Sequence, residues 1–440
     1  MVTVPKDGTQ APRGSLDALE VSFDDGRAVA NAGLVLPATL ARRLELEPLL
    51  DEVVDLGERA GAARPGRKVM TLVHAILAGA DSIGDCDLLR AGASGQVLGH
   101  RVMAPSTLGT FLRAFTFGHV RQLERAAELA LTRAWAAGAG PGGEPLVIDL
   151  DSTVCEVHGH KKQGIGFSHT RVRGYHPLLA TRAATGEVLH IRMRRGSANT
   201  MRGAERFVRE LVGRVRRAGA RGQLTLRADS GFWAKRVIGA LQQHRVRFSI
   251  TVRSGDPRIA RAIAPIPEGD WQAIEYTAGG EAQVAETTYR DLRLVVRRTR
   301  LVGPQAELFP DWRHHAFLTD REETAIALDA DHRQHAVCEL AIRDLKAEGL
   351  AHCPSGRFFA NAAWAVIAAL AHNLARWLAA LGLGAPGPVV AETIRRRYLS
   401  LPGRLTRSGR RRRLHLPRGW PWATGFLLAL TRLRAVALRA

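Results

Sequence analysis

The sequence predicts an α/β protein in which a mixed sheet follows a helical N-terminal region, and three observations carry that prediction. Residues 16–137 are mostly helical in pattern, with segments over 38–47, 68–80 and 120–137 separated by Gly and Pro clusters. The run 138–145, Gly-Ala-Gly-Pro-Gly-Gly-Glu-Pro, is a strong breaker, and the pattern changes character immediately after it. Beyond it, short apolar runs such as 146–150 and 224–228 end on acids, as buried strands delivering carboxylates to a sheet edge would.

Taken in order, the tail 1–15 has Lys6 and Arg13 but no apolar stretch behind them, so it reads as a disordered, solvated tail and not a signal peptide. A helical DNA-binding domain is expected over 16–140. Within it Pro105-Ser106-Thr107 precedes Leu108, Phe111, Leu112 and Phe115, so Ser106 or Thr107 should cap a helix with an apolar stripe. A helix-turn-helix DNA reader and a plain packed bundle both fit that pattern. The next domain, 145–385, opens with strands over 146–151, 175–183 and 187–193, the last two flanking the Thr185-Gly186 turn, and then a helix from about 203 to 218. Three strands and a helix are the opening of an RNase H-like fold. A strand over 224–228 ends at Asp229-Ser230-Gly231, a helix runs through Leu241, and 246–252 is a further strand. Alternating segments from about 254 to 304, including 282–289 and 292–299, form a β-rich insertion. A strand ending at Asp320 is followed by helices over 332–348 and 360–380. The apolar run 360–383 contains Asn361, His372, Asn373 and Arg376, which a lipid-facing span would not tolerate cheaply, so a buried core helix and no membrane contact are expected.

The 440 residues include 63 Lys and Arg against 42 Asp and Glu, a formal charge of +21 that makes a polyanion such as nucleic acid the default partner. Most of the excess is Arg, whose fork suits phosphate and guanine edges, although a GC-rich genome would also enrich Arg, Ala and Gly. Four scattered Cys exclude a disulfide framework and point to a reducing cytoplasm. The basic C-terminal segment, 386–440, carries Arg395, Arg396, Arg397, Arg404, Arg407, Arg410, Arg411, Arg412 and Arg413 with Tyr398, Trp420 and Trp422, a footprint for salt-dependent phosphate contact. Leu414, Leu416 and the apolar stretch 426–438 indicate that this segment packs.

In-line cleavage of a phosphodiester is commonly done with two divalent ions about 3.5–4 Å apart held by clustered carboxylates. Asp151 closes the first core strand, Asp229 closes a later one, and Glu339 lies on a helix that would pack across the sheet. Asp149 and Asp151 alternate onto one face of the same strand, so either fits as the first ligand. Asp229 also fits a helix N-cap with Gly231 in the turn. Cys155, His158, His160, His169 and His176 form a dense set of zinc-ligand types, but Lys161 and Lys162 in the loop 158–166 fit a DNA-facing loop better than a closed zinc site.

Asp151-Ser152-Thr153, Arg227-Ala228-Asp229-Ser230-Gly231-Phe232, and Glu339 followed seven positions on by Lys346 resemble the DDE transposases of bacterial insertion sequences. The resemblance extends over nearly the whole chain, through Ala32-Gly33-Leu34-Val35-Leu36-Pro37, Leu89-Arg90-Ala91-Gly92, His158-Gly159-His160, Gly174-Tyr175-His176-Pro177-Leu178 and the Arg-rich tail. It implies a metal-dependent enzyme that binds the terminal inverted repeats of its element and joins them to target DNA. Two Mg²⁺, replaceable by Mn²⁺, would sit on Asp151, Asp229 and Glu339, with a second copy of the chain as partner on DNA and a nucleoid-associated location. The resemblance sets the catalytic acid directly before a Ser/Thr pair, which selects Asp151. One group of these transposases has Tyr, Arg, Glu and Lys spaced around the catalytic Glu. Here His332 stands for Tyr and His335 for Arg, exchanging a permanent cation for a group that is mostly neutral near pH 7. His332, His335, Glu339 and Lys346 share one helical face, opposite Val337 and Ala341. With Arg343, Lys161, Lys162 and Arg410 to Arg413, His332, His335 and Lys346 make the expected DNA contacts. Two other readings use the same residues: a decayed copy that binds DNA without cutting, supported by the two His, and another RNase H-like nuclease such as a resolvase, which the large helical N-terminal region argues against.

Overall fold

A nine-stranded mixed sheet organises the chain. The computed structural model describes residues 16, 19–159, 161–168, 171–276, 280–301, 312–385 and 387–437, so the expected tail over 1–15 lies outside it. In chain order the strands are β1 (Leu146–Ser152), β2 (Leu178–Arg182), β3 (Val188–Arg192), β4 (Leu224–Ala228), β5 (Arg247–Thr251), β6 (Gln272–Ile274), β7 (Gly280–Tyr289), β8 (Leu292–Leu301) and β9 (Arg313–Thr319). Their order across the sheet is β6-β7-β8-β9-β5-β4-β1-β2-β3. β1, β2 and β3 form an antiparallel meander, whereas β4 runs parallel to β1 and β5 parallel to β4. Helices Ala204–Ala218 and Lys235–Gln243 make the crossovers into β4 and β5. This is the strand order and connectivity of an RNase H-like core. All five residues of β4 are buried, which is why it reads as an unbroken apolar run and not as an alternation.

The insertion extends this sheet instead of forming a separate layer. β9 pairs with β5 and β8 with β9, so the edge that β5 would otherwise expose is covered. Its first part departs from the sequence expectation: 254–271 contains the helix Pro257–Ile263, with Asp256 capping it by accepting from the Arg258 amide, and strand pairing begins only at Gln272. Residues 302–304, at the expected end of the insertion, lie outside the described residues.

The N-terminal region is helical, with helices Val35–Arg43, Leu46–Val53, Pro65–Leu77, Pro105–Arg113 and Phe117–Ala134. The segment 38–47 is two helices, parted where Glu45 takes a left-handed conformation (φ 49°). Neither Ser106 nor Thr107 caps the next helix. Pro105 is its first residue and forces Ala104 into an extended conformation (ψ 149°), so the chain enters through an unassisted Ala104 cap.

The helix Phe358–Trp377 joins these regions into one core, packed between the N-terminal helices and β3. It is apolar and long enough to cross a membrane, yet 83% of its most apolar window is buried within the protein. Its polar residues all have internal partners. Asn373 brackets Val188, accepting from its amide (2.7 Å) and donating to its carbonyl (2.8 Å). His372 meets Glu348 at 2.6 Å, Arg376 meets Asp344 at 2.7 Å, and Asn361 donates to the Tyr175 hydroxyl at 3.1 Å. The C-terminal segment also packs. Its hairpin, Gly403–Ser408 with Arg411–His415, adds the strand Ala28–Val29, and helix Ala423–Ala435 lies on Val35–Arg43. Gly33 faces the Tyr398 carbonyl so closely that a Cβ would stand 1.8 Å from its oxygen, which accounts for a glycine in the 32–37 motif.

Candidate active site

The parallel register of β1 and β4 builds the site. It sets Asp149 opposite Arg227 and Leu150 opposite Ala228, and one further step along both strands places Asp151 beside Asp229 at the carboxyl ends of adjacent strands. The two neighbouring pairs differ completely. Asp149 is 1% exposed, and Arg227 grips it with Nε donating to Oδ1 (2.8 Å) and Nη2 to Oδ2 (2.9 Å). Arg227 also donates to the carbonyl and carboxylate of Asp331 (2.7 and 3.1 Å). Asp151 has no ion pair with Lys or Arg among the described residues. It accepts from the Ser152 amide (2.6 Å) and from the Cys338 thiol (3.6 Å). Burial holds the Asp151 carboxyl above the usual carboxylate range, the Ser152 amide opposes that, and the nearby Asp229 charge adds to it. Asp229 is exposed and accepts from the Gly231 amide (3.0 Å), so it also caps the short turn that follows it, as the sequence allowed.

A helical segment lies across these carboxylates, but not as the single helix expected over 332–348. It consists of helix Ala325–Arg333, a tighter turn Gln334–Val337, helix Cys338–Leu345 and a wide turn Lys346–Leu350. The tight turn winds about three residues per turn instead of 3.6, which splits the seven-residue stripe. His332 therefore faces inward: it is 5% exposed, stacks on Phe317 at 4.2 Å, and shares a hydrogen bond with Thr251 Oγ1 at 2.9 Å. Burial, reinforced by the charges of His335 and His315, lowers its pKa to about 2, so its expected DNA contact is corrected to a core role. Val337, expected on the face opposite the polar stripe, is exposed. His335 Nδ1 stands 2.9 Å from Asp149 Oδ1, and Cys338, three residues on, reaches Asp151. Glu339 follows Cys338 directly, exposed on the first turn of its helix, with no hydrogen bond or ion pair among the described residues.

Of the expected DNA contacts, Arg343, Lys161 and Arg410 to Arg413 are exposed, and Lys346 is half-buried. Lys162 is not free to meet DNA as expected: half-buried, it donates its ammonium to the Cys353 carbonyl at 2.5 Å and anchors its loop. Sequence reasoning gave no role to Arg227, Cys338 or Thr200. His176 Nδ1 donates to the Ala198 carbonyl (2.7 Å), which leaves Nε2 to accept from the Ser152 hydroxyl at 3.0 Å, and Thr200 Oγ1 lies 3.4 Å from that hydroxyl. Arg194 fixes this loop by donating Nη1 to the carbonyls of Asn199, Thr200 and Arg202 (2.9, 3.1 and 3.0 Å). The Gly-Tyr-His-Pro motif signalled the neighbourhood, but nothing in it marked the loop.

Two of the three expected carboxylates, Asp151 and Asp229, lie side by side, but Glu339 does not complete with them a set of three ligand atoms within 4.8 Å of one another among the described residues. In a chain so rich in arginine, neither Asp151 nor Glu339 has an ion pair with Lys or Arg among the described residues, whereas Asp149, two residues from Asp151, has one, and the like-charged carboxylates of Asp151 and Asp229 are held side by side. Two other groupings do not fit. Burial pushes the Cys155 thiol far up, His176 is committed to Ser152 and Ala198, His158 is exposed, and His160 and His169 lie outside the described residues. Glu124, His190 and Glu210 bring ligand atoms within 4.8 Å of one another, but Arg121, Arg192 and Arg214 already surround them. Arg192 meets Glu124 at 2.9 Å and Glu210 at 2.6 Å, so a cation is excluded and the network ties helix Phe117–Ala134 to Ala204–Ala218.

The family model "Transposase DDE domain group 1" matches residues 12–438. The chain belongs to the DDE transposases. Among curated proteins none matches. Among solved structures, a piggyBac transposase synaptic complex with hairpin DNA is similar over 84% of this chain and 79% of that chain, at 13% identity and a TM-score of 0.46. That likeness is too remote to bear on the site. The transposase carries its buried ion pair and its pair of neighbouring aspartates two residues apart, along β1 and at the end of β4.

Proposed function

We propose that this transposase cuts and rejoins DNA at Asp151, Asp229 and Glu339, which would hold two Mg²⁺ ions, with Mn²⁺ able to substitute. The observation that carries this reading is the register that sets Asp151, which has no ion pair with Lys or Arg among the described residues, beside Asp229 while satisfying Asp149 with Arg227. Ions bound there would activate water or a 3′-hydroxyl and stabilise the leaving oxygen. The chain's own contribution is rigid placement. Arg227 and Asp149 lock the strand ends, the Cys338 thiol orients Asp151 through Oδ2, and Asp229 is fixed by the Gly231 amide. Arg343, Lys346 and the exposed hairpin arginines would meet phosphates of the terminal inverted repeats and target DNA, with two copies of the chain assembled on the ends, in the cytoplasm at the nucleoid.

The test is cleavage of a labelled duplex carrying the flanking ends of the reading frame, with Mg²⁺ or Mn²⁺. Metal-dependent cutting at the ends, lost in Asp229→Ala and Glu339→Gln, is expected; binding of the ends with no cutting under either metal would turn the reading into a DNA-binding protein. A second measurement addresses the hairpin. Each phosphate contact contributes about 0.9 to the slope of log affinity against log salt, so replacing Arg410, Arg411, Arg412 and Arg413 by Ala should lower that slope by up to about 3 to 4. An unchanged slope would remove the hairpin from the interface.

A further inference from the structure

Each of the two neighbouring aspartates is oriented by a backbone amide just beyond it in the chain. The Ser152 amide donates to Asp151 Oδ1 (2.6 Å), and the Gly231 amide donates to Asp229 Oδ1 (3.0 Å). One side chain from a third element reaches both of these donor residues. Thr200 lies in the loop that leads from β3 into helix Ala204–Ala218. Its Oγ1 stands 3.4 Å from the Ser152 hydroxyl, and a Cβ on residue 231 would stand 2.8 Å from its Cγ2 and 3.0 Å from its Cβ. The Ser152 hydroxyl gives its proton to His176 Nε2, so in the contact with Thr200 it accepts and Thr200 donates.

Gly231 does not take a left-handed backbone, so conformation alone would admit other residues there. Space excludes them. A Cβ would also lie 3.1 Å from Asp229 Oδ1, wedged between Thr200 and the carboxylate that the Gly231 amide holds. Thr200 is poorly able to give way. Its branched side chain is stiff at χ1, and its carbonyl is one of the three that accept from Arg194 Nη1. Arg194, 9% exposed, is fixed in turn by donating Nε to the His176 carbonyl at 2.9 Å. His176, 3% exposed, then ties the loop to the end of β1, because one ring serves both the Ala198 carbonyl and the Ser152 hydroxyl.

We propose that Thr200 is a positioning residue for DNA cleavage: its hydroxyl holds the end of β1 through Ser152, its methyl packs against Gly231, and together they set the separation of the Asp151 and Asp229 carboxylates. Thr200 acts through Ser152 and Gly231 and not on the DNA itself. Two like charges side by side repel, so a brace between their supporting residues opposes a drift that the charges favour. The need for it is steep, since a misplacement of about 1 Å can cost on the order of 10²-fold in rate. The inference rests on the reading of Asp151 and Asp229 as catalytic acids and deepens it by naming what spaces them.

The experiment measures three quantities on the full chain: the cleavage rate of the labelled flanking-end duplex, its binding by fluorescence anisotropy, and the melting temperature. Thr200→Val keeps the shape without the donor and should slow cutting by about tenfold or more, with end affinity and melting temperature unchanged. Thr200→Ser keeps Oγ1 and should cut closer to the natural rate than Thr200→Val. Gly231→Ala should slow cutting by about 10²-fold and lower the melting temperature, and adding Thr200→Ala should restore part of both losses by making room for the new methyl. If Thr200→Val cuts at the natural rate, or Thr200→Ala deepens the Gly231→Ala defect, Thr200 does not space the pair. If Thr200→Val loses end binding together with cutting, it touches DNA and is not a positioning residue. Asp229→Ala separates this inference from the reading beneath it: natural cutting by that variant overturns the carboxylate assignment, while the melting temperatures still report whether Thr200 and Gly231 are coupled. A natural protein that binds the ends and never cuts overturns both.

Discussion

Asp151→Asn abolishes DNA cleavage, by at least about 10³-fold or roughly 4 kcal/mol of barrier, while leaving the protein as stable as before or more so. The stability half of this expectation separates a catalytic acid from a structural one. Burial and the Asp229 charge hold the Asp151 carboxyl above its ordinary range. A carboxyl raised in the folded state binds its proton more tightly there than in the unfolded chain. Its ionisation therefore costs stability above that raised pKa, and the cost disappears as pH falls through it. The amide keeps the shape and removes the charge, so the variant's melting temperature at neutral pH should equal or exceed that of the natural protein, and the difference should shrink on acidification. Divalent ions should raise the melting temperature of the natural protein and not of the variant. A variant that melts well below the natural protein at neutral pH would make Asp151 part of the scaffold.

Asp149→Ala, two residues away, should do the reverse and destabilise the fold by about 3 kcal/mol or more, the cost of leaving a buried charge without its partner. Arg227 is 2% exposed and loses two charge-assisted hydrogen bonds, keeping only Asp331, while His335 loses its Nδ1 acceptor. Adding Arg227→Met should restore part of the loss, because an apolar pair of similar volume needs no counter-charge. Denaturant midpoints of the two single variants and the double variant measure this directly. If Asp149→Ala keeps full stability yet cannot cut, the assignment of the two aspartates is exchanged.

These paired expectations mark where sequence ceased to be sufficient. The spacing of Asp149 and Asp151 put both on one face of β1, and nothing local separates two acids on one face of a strand. The resemblance chose Asp151 by its Ser-Thr neighbours; the structure supplies a physical distinction in the cation that only Asp149 possesses. His332 went the other way. Seven-residue spacing placed it on the polar stripe with Glu339 and Lys346, but a turn of tighter helix at Gln334–Val337 shifts the phase and buries it against Phe317. Periodicity assumes uniform winding, and one irregular turn is invisible in composition. Lys162 likewise read as a loop cation until the Cys353 carbonyl, nearly two hundred residues away, took its ammonium.

By itself the sequence determined the helical opening, the break at 138–145, the run of core strands with acids at their ends, the core identity of Phe358–Trp377 and the family, because periodicity, breakers and strand-end motifs are properties of neighbours along the chain. Tertiary structure decided which acid is neutralised, how the insertion joins the β5 edge, that the ends of the chain share a small sheet, and that His335 and Cys338 lie over Asp149 and Asp151. Those outcomes depend on the register of β4 against β1 and on the phase of a helix packed across them, and both are set by contacts between residues far apart in the chain.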